Sequence, residues 1–141
     1  MIFVTVGTQK FPFDRLLRKV DQLVKERVIT EEVFIQAGTA DYIPSCCHCQ
    51  AFYSRKEFGE MLEACNILIT HGGAGTIIDA VKRKKKTIVV PRLSKYREHV
   101  DDHQLELPLR FHEMNLVYVC QDENALPHAL SIIRNHEFNT Y

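Results

Sequence analysis

A glycine run, His71-Gly72-Gly73-Ala74-Gly75, says more about this chain than any other stretch. It follows an apolar run, Ile67 to Ile69, with the length and β-branched content of a buried strand, and it opens into a helical pattern. Glycines at such a turn permit positive φ and remove the Cβ atoms that would keep an anion away, while the first N–H groups of the helix have no partner within it. A phosphate can take those donors. A second apolar run, Thr87 to Val90, ends at Pro91 and leads into a polar loop. The segment Asn66 to Gln104 therefore reads as one β-α-β crossover with a site at its carboxyl edge.

The remaining sequence alternates in the same way. Strands are expected at Ile2 to Val6, Val33 to Gln36, Gln50 to Tyr53 and Leu116 to Cys120. A helix begins near Pro12 and runs to about Arg27, with Phe13, Leu16, Leu17, Val20, Leu23 and Val24 at helical spacing. Further helices are expected at Lys56 to Ala64, at Asp101 to Met114 with a kink or break at Pro108, and at Asn124 to Asn135. This order implies an α/β fold: a Rossmann-like, mostly parallel sheet with helices on both faces. With 141 residues, positions 1–141 are expected to form a single domain.

Lysine plus arginine and aspartate plus glutamate both number 18, so no global field points to nucleic acid. Five cysteines, three of them at Cys46, Cys47 and Cys49, do not form a secreted disulfide framework, and a reducing cytosol is expected. Cys46-Cys47-His48-Cys49 is a poor zinc site, because adjacent ligands do not readily wrap one tetrahedral ion and no further C-x-x-C pair follows. No signal peptide is expected, and no apolar run approaches the roughly 20 residues that span a bilayer. The basic run Lys82 to Lys86 has two readings: cations at a helix C-terminus, or attraction to an anionic membrane.

Ligands in such sheets bind outside the carboxyl ends of the strands. The loops that qualify are Gly7-Thr8-Gln9, Ala37-Gly38-Thr39, His71 to Gly75, and Arg92 to Asp102. No Gly-Lys-Ser/Thr closes the glycine run, so it is not a Walker A loop, and Gly-Gly-Ala-Gly-Thr lacks the dinucleotide spacing.

Three separated motifs occur in order: V-T-V-G-T-Q from Val4, H-G-G-A-G-T-I-I-D-A with T-I-V-V-P-R, and E-H-V-D-D-H-Q ending at Gln104. Together they resemble the nucleotide-sugar half of family 28 glycosyltransferases of the GT-B type. In particular the chain looks like the small bacterial proteins of exopolysaccharide and capsule assembly (the PssE type), relatives of the catalytic subunit that adds the second GlcNAc to dolichol-linked sugar in eukaryotes. The resemblance implies that Gly72, Gly73, Ala74, Gly75 and Thr76 hold the UDP diphosphate and ribose, with Asp79 in place of a glutamate that accepts from ribose hydroxyls. Asp79 could instead be a first-turn acid complementing the helix dipole. His71 could donate to a diphosphate oxygen or merely satisfy groups at the strand end.

His103 and Gln104 match positions that read donor-sugar hydroxyls, a task suited to an amide with both donors and an acceptor. Asp101 or Asp102 would cap the helix they open. Glu98 and His99 could approach the leaving phosphate or the sugar, Arg92 could pair with a phosphate, and Gly7, Thr8 and Gln9 would face the cleft between two GT-B halves.

Inverting transfer needs a general base on the face opposite the leaving UDP and donors for the developing charge. The resemblance places the base and the acceptor site in an N-terminal half that these residues do not include, so no catalytic base is expected here. A separate, membrane-anchored acceptor-binding glycosyltransferase subunit and a lipid-linked saccharide acceptor are the expected partners, with a UDP-sugar as donor and no cofactor or metal. The expected location is the cytoplasm, at the inner face of the cytoplasmic membrane. The alternatives are a non-catalytic partner that stimulates a self-sufficient transferase, and a stand-alone nucleotide-binding enzyme.

Overall fold

The computed structural model describes residues 1–6, 13–91 and 106–140. In chain order its elements are β1 (Ile2–Thr5), α1 (Asp14–Lys25), β2 (Val33–Gln36), β3 (His48–Gln50), α2 (Arg55–Ala64) and β4 (Ile67–Thr70). They continue with α3 (Ala74–Lys82), β5 (Lys86–Val89), α4 (Glu106–Glu113), β6 (Tyr118–Val119) and α5 (Leu126–Ile133). The six strands form one sheet in the order β3-β2-β1-β4-β5-β6, and every pairing is parallel. Strand order reverses between β1 and β4, which creates a crevice at their carboxyl ends.

Alternation along each strand divides the core between the two faces. Ile2 and Val4 of β1, with Ile67 and Ile69 of β4, meet Leu16, Leu17 and Val20 of α1 and Leu126, Leu130 and Ile133 of α5. On the opposite face Phe3 and Leu68 pack with Leu62 of α2 and Ala80 of α3, and Val89 packs with Ile77 and Val81 of α3. Each fully buried Leu, Ile or Phe in these layers contributes about 1.5–3 kcal/mol. The rings of Tyr53 and Phe58 meet Phe3 edge-on at 5.8 and 5.3 Å, fixing α2 over β1.

The ends of several elements differ from expectation. β3 spans His48–Gln50, earlier than Gln50 to Tyr53, because Ser54 starts α2. Ser54 accepts from the Glu57 amide while Glu57 accepts from the Ser54 amide, and Ala51 to Tyr53 become the approach to that capping box. Phe13 precedes α1, and Pro12 lies outside the described residues. Pro108 sits in the third position of the described part of α4, and what precedes Glu106 is likewise outside. α5 is preceded by a 3₁₀ turn over Glu123–Ala125.

Three helices reverse through left-handed residues other than glycine: Arg27 (φ 60°), Lys84 (φ 58°) and Asn115 (φ 58°). In each case the next amide reaches back to the carbonyl five residues earlier, as in Val28 N–H to Leu23 at 3.0 Å and Lys85 N–H to Ala80 at 3.0 Å.

The loop between β2 and β3 is clamped onto α1 by two carboxylates. Asp14 accepts from the amides of Asp41 (3.0 Å) and Tyr42 (3.1 Å). Asp21, fully buried, accepts from the Tyr42 hydroxyl (2.6 Å) and the amides of Ser45 (3.2 Å) and Cys46 (2.9 Å), with Lys25 at 3.4 Å. The tail packs on the body of the molecule: Asn139 N–H donates to the Asn115 carbonyl, Asn115 donates to Glu137, and Phe138 lies against the core.

Candidate functional site

In β2, β1 and β4 the last row of side chains before the carboxyl edge is polar. Gln36 of β2, Thr5 of β1 and Thr70 of β4 are neighbours in register, and all three are buried. The Gln36 amide donates to the Thr5 hydroxyl at 3.1 Å and accepts from the Tyr53 N–H at 3.0 Å, so one side chain ties three segments together. Buried polar groups persist only when bonded, and here each bond also fixes the edge of the crevice.

Above this row a cleft of about 1010 Å³ opens between α2 and α3. Tyr53, Arg55, Phe58 and Gly59 line it from the α2 side, and His71, Gly73, Gly75, Thr76, Asp79 and Arg83 from the α3 side. The two helix N-termini that flank it differ. That of α2 is closed by its capping box, whereas the N-cap of α3 is Gly73, which offers no capping side chain. The first-turn amides of α3 and the positive end of its dipole therefore face the cleft unopposed by any acid in that turn.

The glycines of the turn have distinct roles. A Cβ on Gly73 would lie 2.3 Å from Nε2 and 2.8 Å from Cε1 of His71, so the imidazole rests directly on the glycine. His71 is buried, with Nδ1 3.2 Å from the Thr70 hydroxyl. The same Cβ on Gly75 would meet nothing within 4 Å, which leaves packing indifferent to a side chain there.

Asp79 lies in the second turn of α3 and is not a first-turn acid, so the dipole reading does not hold. Its Oδ1 accepts from Arg83 Nε at 2.9 Å, and Arg83 Nη1 reaches Glu63 of α2 at 3.0 Å. Both carboxylates hold the guanidinium charged, with the Asp79 bond the larger influence. His71, Gly73, Gly75, Thr76 and Asp79 thus come together at one cleft, while Gly72 and Ala74 belong to the same turn but do not line it. Gly7, Thr8, Gln9, Arg92, Glu98, His99, His103 and Gln104 lie outside the described residues, as do Asp101 and Asp102.

The two remaining sequence features have local explanations. Within the basic run, Lys85 donates to the carbonyls of Glu63 (2.5 Å) and Cys65 (3.2 Å) at the end of α2, and Lys86 to that of Arg134 (2.8 Å) at the end of α5. These are cations at helix C-termini, though at the ends of neighbouring helices. His48 stacks on Phe34 at 4.5 Å, and burial pushes the Cys47 thiol up to about 12. Among the described residues no three His, Cys, Asp or Glu side chains converge on a common point.

A model of the glycosyltransferase family 28 C-terminal domain matches residues 1–140. The chain belongs to this family. Within it, the chain is 28% identical over 128 residues to the UDP-N-acetylglucosamine transferase subunit ALG13 of Homo sapiens, and 26% identical over 127 residues to that of Mus musculus. Each match covers 84% of the chain, which spans only about a tenth of the length of those relatives (11% and 10%). The family 28 fold recurs in Acinetobacter baumannii MurG, with a TM-score of 0.68 at 17% identity over 95% of this chain and 41% of that one. It recurs also in the solution structure of ALG13, with a TM-score of 0.64 at 19% identity over 99% of this chain and 87% of that one. These likenesses show the fold, a GT-B C-terminal, Rossmann-like architecture.

For a family 28 domain the open space at Gly75 makes a direct prediction. Gly75→Ala should stabilise the free protein by up to about 1 kcal/mol in urea unfolding, since alanine is the better helix former. The same change should weaken binding of UDP if the diphosphate approaches the first turn of α3. A stabilised variant with unaltered UDP affinity would remove Gly75 from the site. Thr5, Gln36, Tyr53, Arg55, Gly59 and Arg83 were not singled out by sequence as site residues, although Ser54-x-x-Glu57 is a local signal for the start of α2.

Proposed function

We propose that this chain is the donor-binding subunit of a two-component inverting glycosyltransferase. It would hold a UDP-sugar and transfer its hexose, HexNAc or uronic acid to a lipid-linked acceptor in exopolysaccharide or capsule assembly, as the PssE-type resemblance implies. The observation that carries the reading is the N-terminus of α3, without a side-chain cap among the described residues, set at the β1/β4 switch point and bordering the cleft. Amides and a helix dipole aimed at the diphosphate would stabilise the charge that develops as UDP leaves, and no metal ion is needed for that role. Gly72 to Thr76 and His71 would contact the diphosphate and Asp79 the ribose. Gly7, Thr8, Gln9, Arg92, Glu98, His99, His103 and Gln104 would complete the donor site.

The curated relatives are named as transferase subunits, which supports a partner that brings the acceptor and the general base. Among the described residues no helix is long and apolar enough to cross a membrane. In the proposed arrangement the partner carries the membrane anchor and the chain is recruited from the cytoplasm. The test is reconstitution with the co-purifying subunit and a lipid-linked acceptor, starting with UDP-GlcNAc and extending to other UDP-sugars. Transfer that needs both chains, with UDP heat detectable by calorimetry, is the expected result. Transfer by the partner alone, unaffected when Gly73 is substituted in a still-bound subunit, would instead make this chain a stimulatory partner.

A further inference from the structure

Asp79 is 44% exposed at its side chain, and in an open cleft a lone carboxylate of that kind would turn freely about its rotamers. It is held instead. Arg83 Nε takes Oδ1 at 2.9 Å, one helical turn on, while Nη1 of the same guanidinium is anchored 3.0 Å from Glu63 on α2. Its third nitrogen, Nη2, lies beside Gly59, where even an added Cβ would come no nearer than 3.7 Å. Pairs this exposed add little to folding stability, so stability is a weak explanation for a fork joining two helices. Its evident effect is geometric. With Oδ1 occupied, the other Asp79 oxygen has no hydrogen-bond partner among the described residues, and Asp79 itself lines the cleft.

We propose that Arg83 is a positioning residue that makes the site selective for a nucleotide with an intact ribose diol. It does so by fixing the Asp79 carboxylate so that Oδ2 accepts from a ribose hydroxyl. Arginine suits the task because a planar fork can hold two carboxylates at once, one on each helix, whereas a lysine ammonium fixes neither direction. The inference rests on the donor-binding reading above and adds to it the residue that sets ribose selectivity.

Calorimetric titration of the purified protein with UDP and with 2′,3′-dideoxy-UDP tests it. The wild type should bind UDP about tenfold more tightly, the usual effect of losing one hydrogen bond to a charged group. Arg83→Gln should shrink the preference to about twofold by weakening UDP binding, with dideoxy-UDP affinity nearly unchanged. Glu63→Gln, which cuts only the far arm of the fork on an exposed side chain, should give an intermediate ratio and serves if Arg83→Gln fails to fold. A preference kept at tenfold in both variants overturns the proposal, as does a parallel loss of both nucleotides. UDP binding without any ribose preference in the wild type sinks only this inference, while no UDP binding at all sinks the donor-binding reading with it.

Discussion

On the donor-binding proposal, Gly73→Ala is expected to lower UDP binding by about a hundredfold, the scale of losing one or two hydrogen bonds to a charged group. The cause is His71. An alanine methyl would overlap the imidazole at 2.3 Å, and the ring cannot yield easily because it is buried and bonded to Thr70. Either the imidazole leaves its seat or the turn moves away from β4, and both displace the first-turn amides of α3. Overpacking of this kind costs about 1–3 kcal/mol, so the variant should still fold. A double-mutant cycle isolates the cause: in a His71→Ala background, Gly73→Ala should cost almost no stability, giving a coupling energy of about 1–3 kcal/mol. An uncoupled pair would show that the glycine is needed for some other reason.

Asp21→Ala should be strongly destabilising while leaving the cleft residues intact, by about 3–5 kcal/mol, because three donors lose one buried acceptor. It strands the Tyr42 hydroxyl and the amides of Ser45 and Cys46 and frees the loop that leads from β2 to β3. For a chain of this length the melting temperature should fall by roughly 10 °C or more. The pH dependence follows from the same contacts. Burial alone would raise the Asp21 pKa, but the Tyr42 hydroxyl, the two amides and Lys25 together hold it below its ordinary 3.8. A carboxylate depressed in the folded state contributes its full stabilisation above the unfolded pKa and loses it as pH falls through the folded one. The stability gap between wild type and Asp21→Asn should therefore be widest near neutral pH and narrow below pH 3.8. A gap that is constant from pH 7 to pH 3 would show that Asp21 is not held as a carboxylate.

The parallel sheet was legible because its strands are continuous apolar runs separated by helical periodicity. Ile67 to Thr70 and the helix after it could be placed from the glycine turn alone. What escaped reading was set by side chains acting at a distance. Asp21 lies on the apolar stripe of α1 beside Leu17 and Val20, an acid where a hydrophobic residue is expected, but nothing local says that it meets a loop some twenty positions on. Helix ends were blurred for a different reason: Arg27, Lys84 and Asn115 occupy the left-handed position where glycine is the usual signal. At the cleft, the glycine turn was readable as local chemistry. Its opposite wall at Tyr53, Arg55 and Gly59 comes from α2 and its approach, and only the tertiary fold brings it there.

The place of β1 in the sheet has a kinetic corollary. Ile2 is in register with Val33 on one side and with Ile67 on the other, so the middle of the sheet waits on a pairing that spans nearly half the chain. Closing so long a loop is entropically uphill before any contact rewards it, and slow relative to local helix formation. The cleft, which lies where those two strands end side by side, should thus take shape late in folding, after the local helices.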